Sequence, residues 1–179
     1  MSVVDVKKSD NKVTIGLTNP KSPSNVGAVM RAVGCYRADA IRYTGERFER
    51  ASKFHTDTKS MAQKIPLDRV ENMLQDLDAD TKIVCVELVE GAIALPDFVH
   101  PEKAIYVFGP EDGSIDQEVV SKADAVVYVP TVGCMNLAAS VNVLLYDRLA
   151  KAHHAKPESV EQGDELIRKS RDTNNKLIA

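Results

Sequence analysis

The chain has 179 residues, 44% of them apolar and 27% charged, and a formal charge of −3. This suits one globular domain with a full core. It excludes a chain that is basic throughout and coats nucleic acid non-specifically, and no apolar run approaches the roughly 20 residues that span a bilayer. Met1 to Lys8 lacks the order of a signal peptide. Cys35, Cys85 and Cys134 are far apart, which points to reduced thiols in a cytoplasm, with neither a disulfide frame nor metal-ligand spacing. The charge is uneven. Residues 31–70 hold nine Lys/Arg against five Asp/Glu, whereas 71–127 hold three against thirteen. The first stretch is either a localised basic patch or a set of ordinary solvated faces.

Val13 to Leu17 is a short β-branched run ended by Asn19-Pro20, suited to a first buried strand. Ser24 and Asn25 can cap a helix carrying Val26, Val29, Met30 and Val33, which Gly34 ends. Ala40 to Tyr43 reads as a second strand, and 44–64 as polar, basic and irregular. Pro66, then Val70, Met73, Leu74 and Leu77, predicts an amphipathic helix. Lys82 to Val86 and Ala104 to Phe108 are continuous apolar runs, as in parallel strands covered on both faces. Asp116 to Ser121 reads as a short helix and Ala125 to Val129 as the last strand. The longest helix is expected from Asn136 to about His153. Beyond Pro157 the chain reads as a polar tail in which Leu166 and Ile167 could dock as a short helix. Strands alternating with helices predict a single α/β domain.

Three segments share a strand–polar turn–helix form: Leu17 to Arg31, Val107 to Gly113, and Val129 to Leu137. Parallel sheets bind ligands at the carboxyl ends of their strands, and helix N-termini offer unpaired N–H groups, so the three turns predict one composite site. Arg31 is either a guanidinium fork for phosphate or a surface residue of an amphipathic helix. Glu111, in the turn Gly109-Pro110-Glu111-Asp112-Gly113, either accepts from a ribose, anchors Arg31, or is a solvated acid. Asn136 is placed to cap the last helix. Cys134 stands at a helix N-terminus, where a thiol pKa falls. His153 and His154 lie about five turns further along that helix, too far to act on it. A small polar packing role for Cys134 is therefore favoured. No G-x-G-x-x-G follows a strand and no P-loop is present.

Together the three segments resemble the signature motifs of the SpoU/TrmH family of SPOUT-class RNA methyltransferases. Asn25-Val26-Gly27-Ala28-Val29-Met30-Arg31 resembles N-x-G-x-x-x-R. Phe108-Gly109-Pro110-Glu111-Asp112-Gly113-Ser114 resembles F-G-x-E-x-x-G, with Ser114 at the usual final Gly. Pro130 through Cys134-Met135-Asn136-Leu137 resembles the third motif, with Cys134 for the usual Ser and a shorter loop. Their order and spacing agree over roughly residues 13–153.

The resemblance implies a mostly parallel sheet flanked by helices over residues 1–155, ending in a deep trefoil knot, with 156–179 as a polar tail. It implies a cytoplasmic homodimer without a metal or membrane, transferring methyl from S-adenosylmethionine to a ribose 2′-hydroxyl of tRNA or rRNA. On that pattern Glu87, Leu88, Gly109, Val129, Cys134 and Leu137 contact the cofactor. Arg31, Asn25, Glu111 and Asn136 surround the reaction, and Arg31, Arg37, Arg47 and Lys53 meet RNA phosphates. Two alternatives remain: a non-catalytic RNA-binding protein of the same fold, and a base methyltransferase on the same scaffold.

Overall fold

The computed structural model describes residues 13–52 and 65–172, together with 174, 175 and 177. In chain order the elements are β1 (Val13–Leu17), α1 (Pro23–Cys35), β2 (Ala40–Tyr43), α2 (Arg47–Ser52), β3 (Leu67–Arg69), β4 (Lys82–Val86), β5 (Ile93–Ala94), β6 (Ala104–Phe108), α3 (Gln117–Ser121), β7 (Ala125–Tyr128), α4 (Leu137–Ala155) and α5 (Asp164–Ser170). The strands form one seven-stranded sheet in the order β3-β2-β1-β6-β4-β7-β5, and every neighbouring pair is parallel.

Both faces of the central strands are covered, as their unbroken apolar runs require. All five residues of β6 are buried. Ala104, Tyr106 and Phe108 face the larger core beneath α1 and α4, with Ile15, Leu17, Val29, Met30 and Leu144. Ile105 and Val107 face the second core, with Met73, Cys85 and Ile115. Alternate residues of one strand thus serve two layers.

The structure changes the sequence expectation at several places. Residues 66–77 do not form a helix. Leu67–Arg69 adds an edge strand beside β2, with Ile41 N donating to Pro66 O (2.9 Å) and Val70 N to Tyr43 O (2.9 Å). The spacing of Val70, Met73, Leu74 and Leu77 mimicked a helix period because Met73, Leu74 and Leu77 all pack under the sheet from successive turns. Helix α1 begins earlier than expected. Ser22 is its N-cap, accepting from Asn25 N at 3.3 Å, and Pro23 takes the first turn, where its missing N–H costs nothing. The 44–64 stretch contains α2, held by the edge-on pair Tyr43–Phe48 with ring centroids 5.2 Å apart.

Residues 87–103 connect β4 to β6 by way of β5, which lies on the far side of β7. This connection is therefore carried across the position that β7 later occupies. Helix α4 is fastened to it by a partly buried polar network. His100 joins Tyr106 Oη (2.8 Å) and Asp147 Oδ2 (2.8 Å), Arg148 donates to Tyr106 Oη (2.9 Å) and Glu102 O (2.9 Å), and Lys151 donates to Phe98 O (2.9 Å). Beyond α4, α5 forms as a short helix with Leu166 half-buried and Ile167 exposed. Among the described residues no helix is long and apolar enough to cross a membrane, and no cluster of His, Cys, Asp or Glu has metal-site geometry.

Candidate active site

Because all strands are parallel and β6, β4 and β7 are adjacent, Phe108, Val86 and Tyr128 end side by side at one edge of the sheet. The loops leaving those ends enclose an open cleft of about 190 Å³. Glu87, Leu88, Gly109, Val129, Cys134 and Leu137, the six residues expected at a cofactor, all line it. Thr131, within the third turn, lines it too, as do Tyr128 and Ser140, which the sequence reading missed. Ser140 had a legible signal, since it stands one helical turn after Asn136 on the same face.

The loops are tied to one another by side chains. The Glu87 carboxylate accepts from Leu88 N at 3.0 Å and from Ile115 N at 3.2 Å, so the end of β4 holds the exit of the turn after β6. Gly109 makes that approach possible. A Cβ there would stand 3.1 Å from Glu87 Oε2 and 3.3 Å from Ile115 N. Beneath, burial followed by the nearby Glu87 charge pushes the Cys85 thiol up to about 11, so this cysteine stays protonated packing material.

Glu111 lies on the cleft wall and closes the N-terminus of α1. It accepts from Lys21 N (2.8 Å), Ser22 N (3.0 Å) and Asn25 Nδ2 (3.1 Å). Partial burial alone would raise its pKa, but the bonds from Asn25, Lys21 and Ser22 outweigh it and hold the carboxyl below its ordinary value. The first and second motifs are thus one brace, reinforced where Arg47 forks onto Asp112 with both bonds at 2.8 Å. The possibility that Glu111 anchors Arg31 is not met, since its oxygens take these three donors instead. In the third turn, Asn136 caps α4, accepting from Ala139 N at 2.7 Å, and Ser140 Oγ donates back to Asn136 O at 3.1 Å. Asn136 and Asn25 stand beside the cleft without lining it. Gly133 has a φ of +95°, which gives the loop its bend before the exposed Cys134 thiol.

A family model for SpoU rRNA methylases matches residues 12–146. The chain belongs to the SpoU rRNA methylase family. Its fold is that of solved SpoU-type structures. The A. aeolicus TrmH/SpoU tRNA modifying enzyme is 18% identical, with 90% of this chain and 86% of that one covered and a TM-score of 0.71. An AdoMet-bound rRNA methyltransferase from Sinorhizobium meliloti is 20% identical with a TM-score of 0.65, covering 82% of this chain and 59% of that one. This SpoU chain therefore spans little more than half of that enzyme. A structure described by the 2-OH methylation of C/U34 on tRNA is 19% identical with a TM-score of 0.64, covering 80% and 98%. No curated protein matches the sequence.

Most of the described arginines of 31–70 are engaged by the protein itself rather than gathered in one patch. Arg31 is exposed on α1 and has no hydrogen-bond or ion-pair partner among the described residues. Arg37 lies just past the C-terminal end of α1, six residues or about 9 Å of helical rise beyond Arg31, and pairs with Glu161. Arg47 is engaged by Asp112, Arg42 by Gln75 O at 2.7 Å, and Arg69 by Glu49 at 3.1 Å. Among the described residues of 31–70, Arg37, Arg47, Arg50 and Arg69 are paired with carboxylates, and Arg47 and Arg69 serve as braces between loops. Lys53 falls outside the described residues.

Proposed function

We propose that the protein is an S-adenosylmethionine-dependent RNA methyltransferase that methylates a ribose 2′-hydroxyl of tRNA or rRNA. The observation that carries this reading is the convergence of the second and third motif turns and the exit of β4 on one cleft, to which Glu111 ties the first motif through Lys21 N, Ser22 N and Asn25 Nδ2. The cleft suits a nucleoside bearing an amino-acid tail. Leu88, Phe108 and Leu137 supply apolar faces, and Gly109 adds backbone to the lining. When bound, the cofactor supplies an electrophilic methyl group on a sulfonium.

Methyl transfer is an in-line displacement, so the protein's contribution is to hold the attacking oxygen in line and favour loss of its proton. A guanidinium keeps its own proton and is a poor base. Arg31 therefore serves as the electrostatic and positioning group for the RNA phosphate and ribose. It is exposed and outside the lining of its own cleft, and α4, the helix packed against α1, leaves Tyr146 62% exposed. Both features support a homodimer in which Arg31 acts at the cleft of the second copy. The crossing of 87–103 over β7, with α4 tied to it, supports the deep trefoil knot.

The test is to incubate the protein with S-adenosylmethionine and unmodified tRNA or rRNA, then identify the nucleosides by mass spectrometry. Ribose-methylated nucleosides are expected, whereas a base-methylated product would favour the other methyltransferase reading. Arg31→Ala should abolish transfer while leaving cofactor affinity within about 2-fold; unchanged turnover would remove Arg31 from the mechanism. RNA binding without cofactor binding or product would identify a non-catalytic relative.

A further inference from the structure

The cleft carries an unbalanced charge. Two carboxylates, Glu87 and Glu111, are among its lining residues, and among the described residues no Lys, Arg or His is. The two are not equivalent. Glu111 is turned to the N-terminus of α1, where two backbone N–H groups and the Asn25 amide offset it, together with the positive end of the helix. Glu87 meets two backbone N–H groups of loops, Leu88 and Ile115, with no cation and no helix end among its partners. Its charge is therefore directed by the fold but left uncompensated inside the cleft.

Resting on the methyltransferase reading, we propose that Glu87 is the group by which this protein distinguishes its cationic cofactor from the neutral product left after methyl transfer. S-adenosylmethionine carries a sulfonium, an ammonium and a carboxylate, a net charge of one. S-adenosylhomocysteine has lost the sulfonium charge and keeps the rest of the molecule. Shape and hydrogen bonding are nearly shared, so only a group that senses charge separates them, and discrimination needs a difference in affinity rather than affinity itself. One uncompensated carboxylate in a partly shielded cleft changes the affinity for a unit charge by on the order of 5- to 20-fold. The same charge would speed product loss, because a sulfonium consumed by the reaction no longer holds the molecule against Glu87. Glu87 acts here as a specificity residue for the cofactor, beyond its backbone-tying role.

Calorimetric titration of both ligands into wild-type protein, Glu87→Gln and Glu87→Asp decides the matter. Glu87→Gln removes the charge and keeps one of the two acceptor oxygens; the lost backbone tie is common to both ligands, so the ratio of their affinities reports the charge. This variant should weaken S-adenosylmethionine about 10-fold and S-adenosylhomocysteine less than 2-fold, while Glu87→Asp keeps the wild-type ratio within about 3-fold. Glu87→Gln affecting both ligands alike, or neither, overturns the proposal, as does Glu87→Asp losing the preference. Should Glu87→Gln lose its melting transition, the wild-type ratio measured from about 50 to 500 mM salt replaces it: a ratio that drifts toward the neutral ligand supports the assignment and a constant one overturns it. Wild-type protein that binds neither ligand overturns the cofactor reading first, and is seen before any variant is made.

Discussion

Replacing Glu111 tests whether the first two motifs form a structural brace or act directly on substrate. Glu111→Ala leaves Lys21 N, Ser22 N and Asn25 Nδ2 without the acceptor they meet at 2.8, 3.0 and 3.1 Å. Hydrogen bonds to a shielded charge contribute about 1.5–3 kcal/mol each, but this site is open and water can replace much of them, so about 0.5 kcal/mol apiece is appropriate. Loss of a carboxylate at a helix N-terminus adds about 0.3–1 kcal/mol. The expected destabilisation is about 2 kcal/mol for Glu111→Ala and about half that for Glu111→Gln, which keeps one acceptor. In urea melts with an m-value of about 2 kcal/mol/M, the alanine variant shifts the midpoint by about 1 M at fixed protein concentration. The sign with pH also follows. The folded pKa of Glu111 lies below its unfolded value, so its stabilisation is complete above the ordinary carboxylate pKa and disappears as pH falls through the lowered one. The gap between wild type and Glu111→Gln should therefore close in acid. Methyl transfer should fall with stability, while S-adenosylmethionine affinity changes less than about 3-fold. A variant as stable as wild type that nevertheless loses all transfer would refute the brace and put Glu111 at the reacting atoms.

Three further outcomes are expected. Burial lowers the His100 pKa, against the opposing pull of Asp147 and with the help of Arg148 and Lys151; Tyr106 completes its surroundings. Its neutral form is therefore the folded one, and stability should fall as pH drops below the unfolded histidine pKa of about 6.5. Thermal midpoints from pH 7.5 to 5.5 should fall less in His100→Gln than in wild type, and an identical slope would refute this. Gly45→Ala forces a Cβ to 2.2 Å from Asn19 Oδ1 at a φ of +78° and should cost about 1–3 kcal/mol by chemical denaturation; a neutral effect would show that the Asn19 turn is soft. Tyr146→Glu puts a charge on the exposed face of α4 and should convert the proposed homodimer to a monomer in light scattering, whereas an intact dimer would place the interface elsewhere.

Much of the fold was legible because the central strands are covered on both faces, which writes them as unbroken apolar runs, and because helices such as α4 carry their own caps. Asn136 announced the start of α4 by the same side chain that now accepts from Ala139 N. What could not be read was held by distant partners. Leu67–Arg69 is a strand only because β2 presents a free edge, and the two residues of β5 gain order only beside β7. Val70, Met73, Leu74 and Leu77 carry a helix period that the packing beneath the sheet overrides.

The candidate site divides in the same way. Residues whose role depends on their own backbone position, such as Gly109 and Leu137 at strand and helix ends, were found from sequence and line the cleft. Residues whose role depends on charge were not, because a charge is defined by what it meets. Arg47 counted as a phosphate ligand until Asp112 took both of its nitrogens, and Arg37 until Glu161 paired with one of its nitrogens past the C-terminal end of α1. Arg31 remains without a partner among the described residues, which is the condition a residue must satisfy to bind something from outside. RNA affinity should accordingly depend on salt less steeply than the nine basic residues of 31–70 suggest, with a slope set by the few phosphates that reach unpaired cations. A slope of log affinity against log salt near −1 to −2 for the described surface fits that reasoning. A slope approaching the full count would mean that RNA displaces Asp112 and Glu161 from their arginines, and that the braces open when substrate binds.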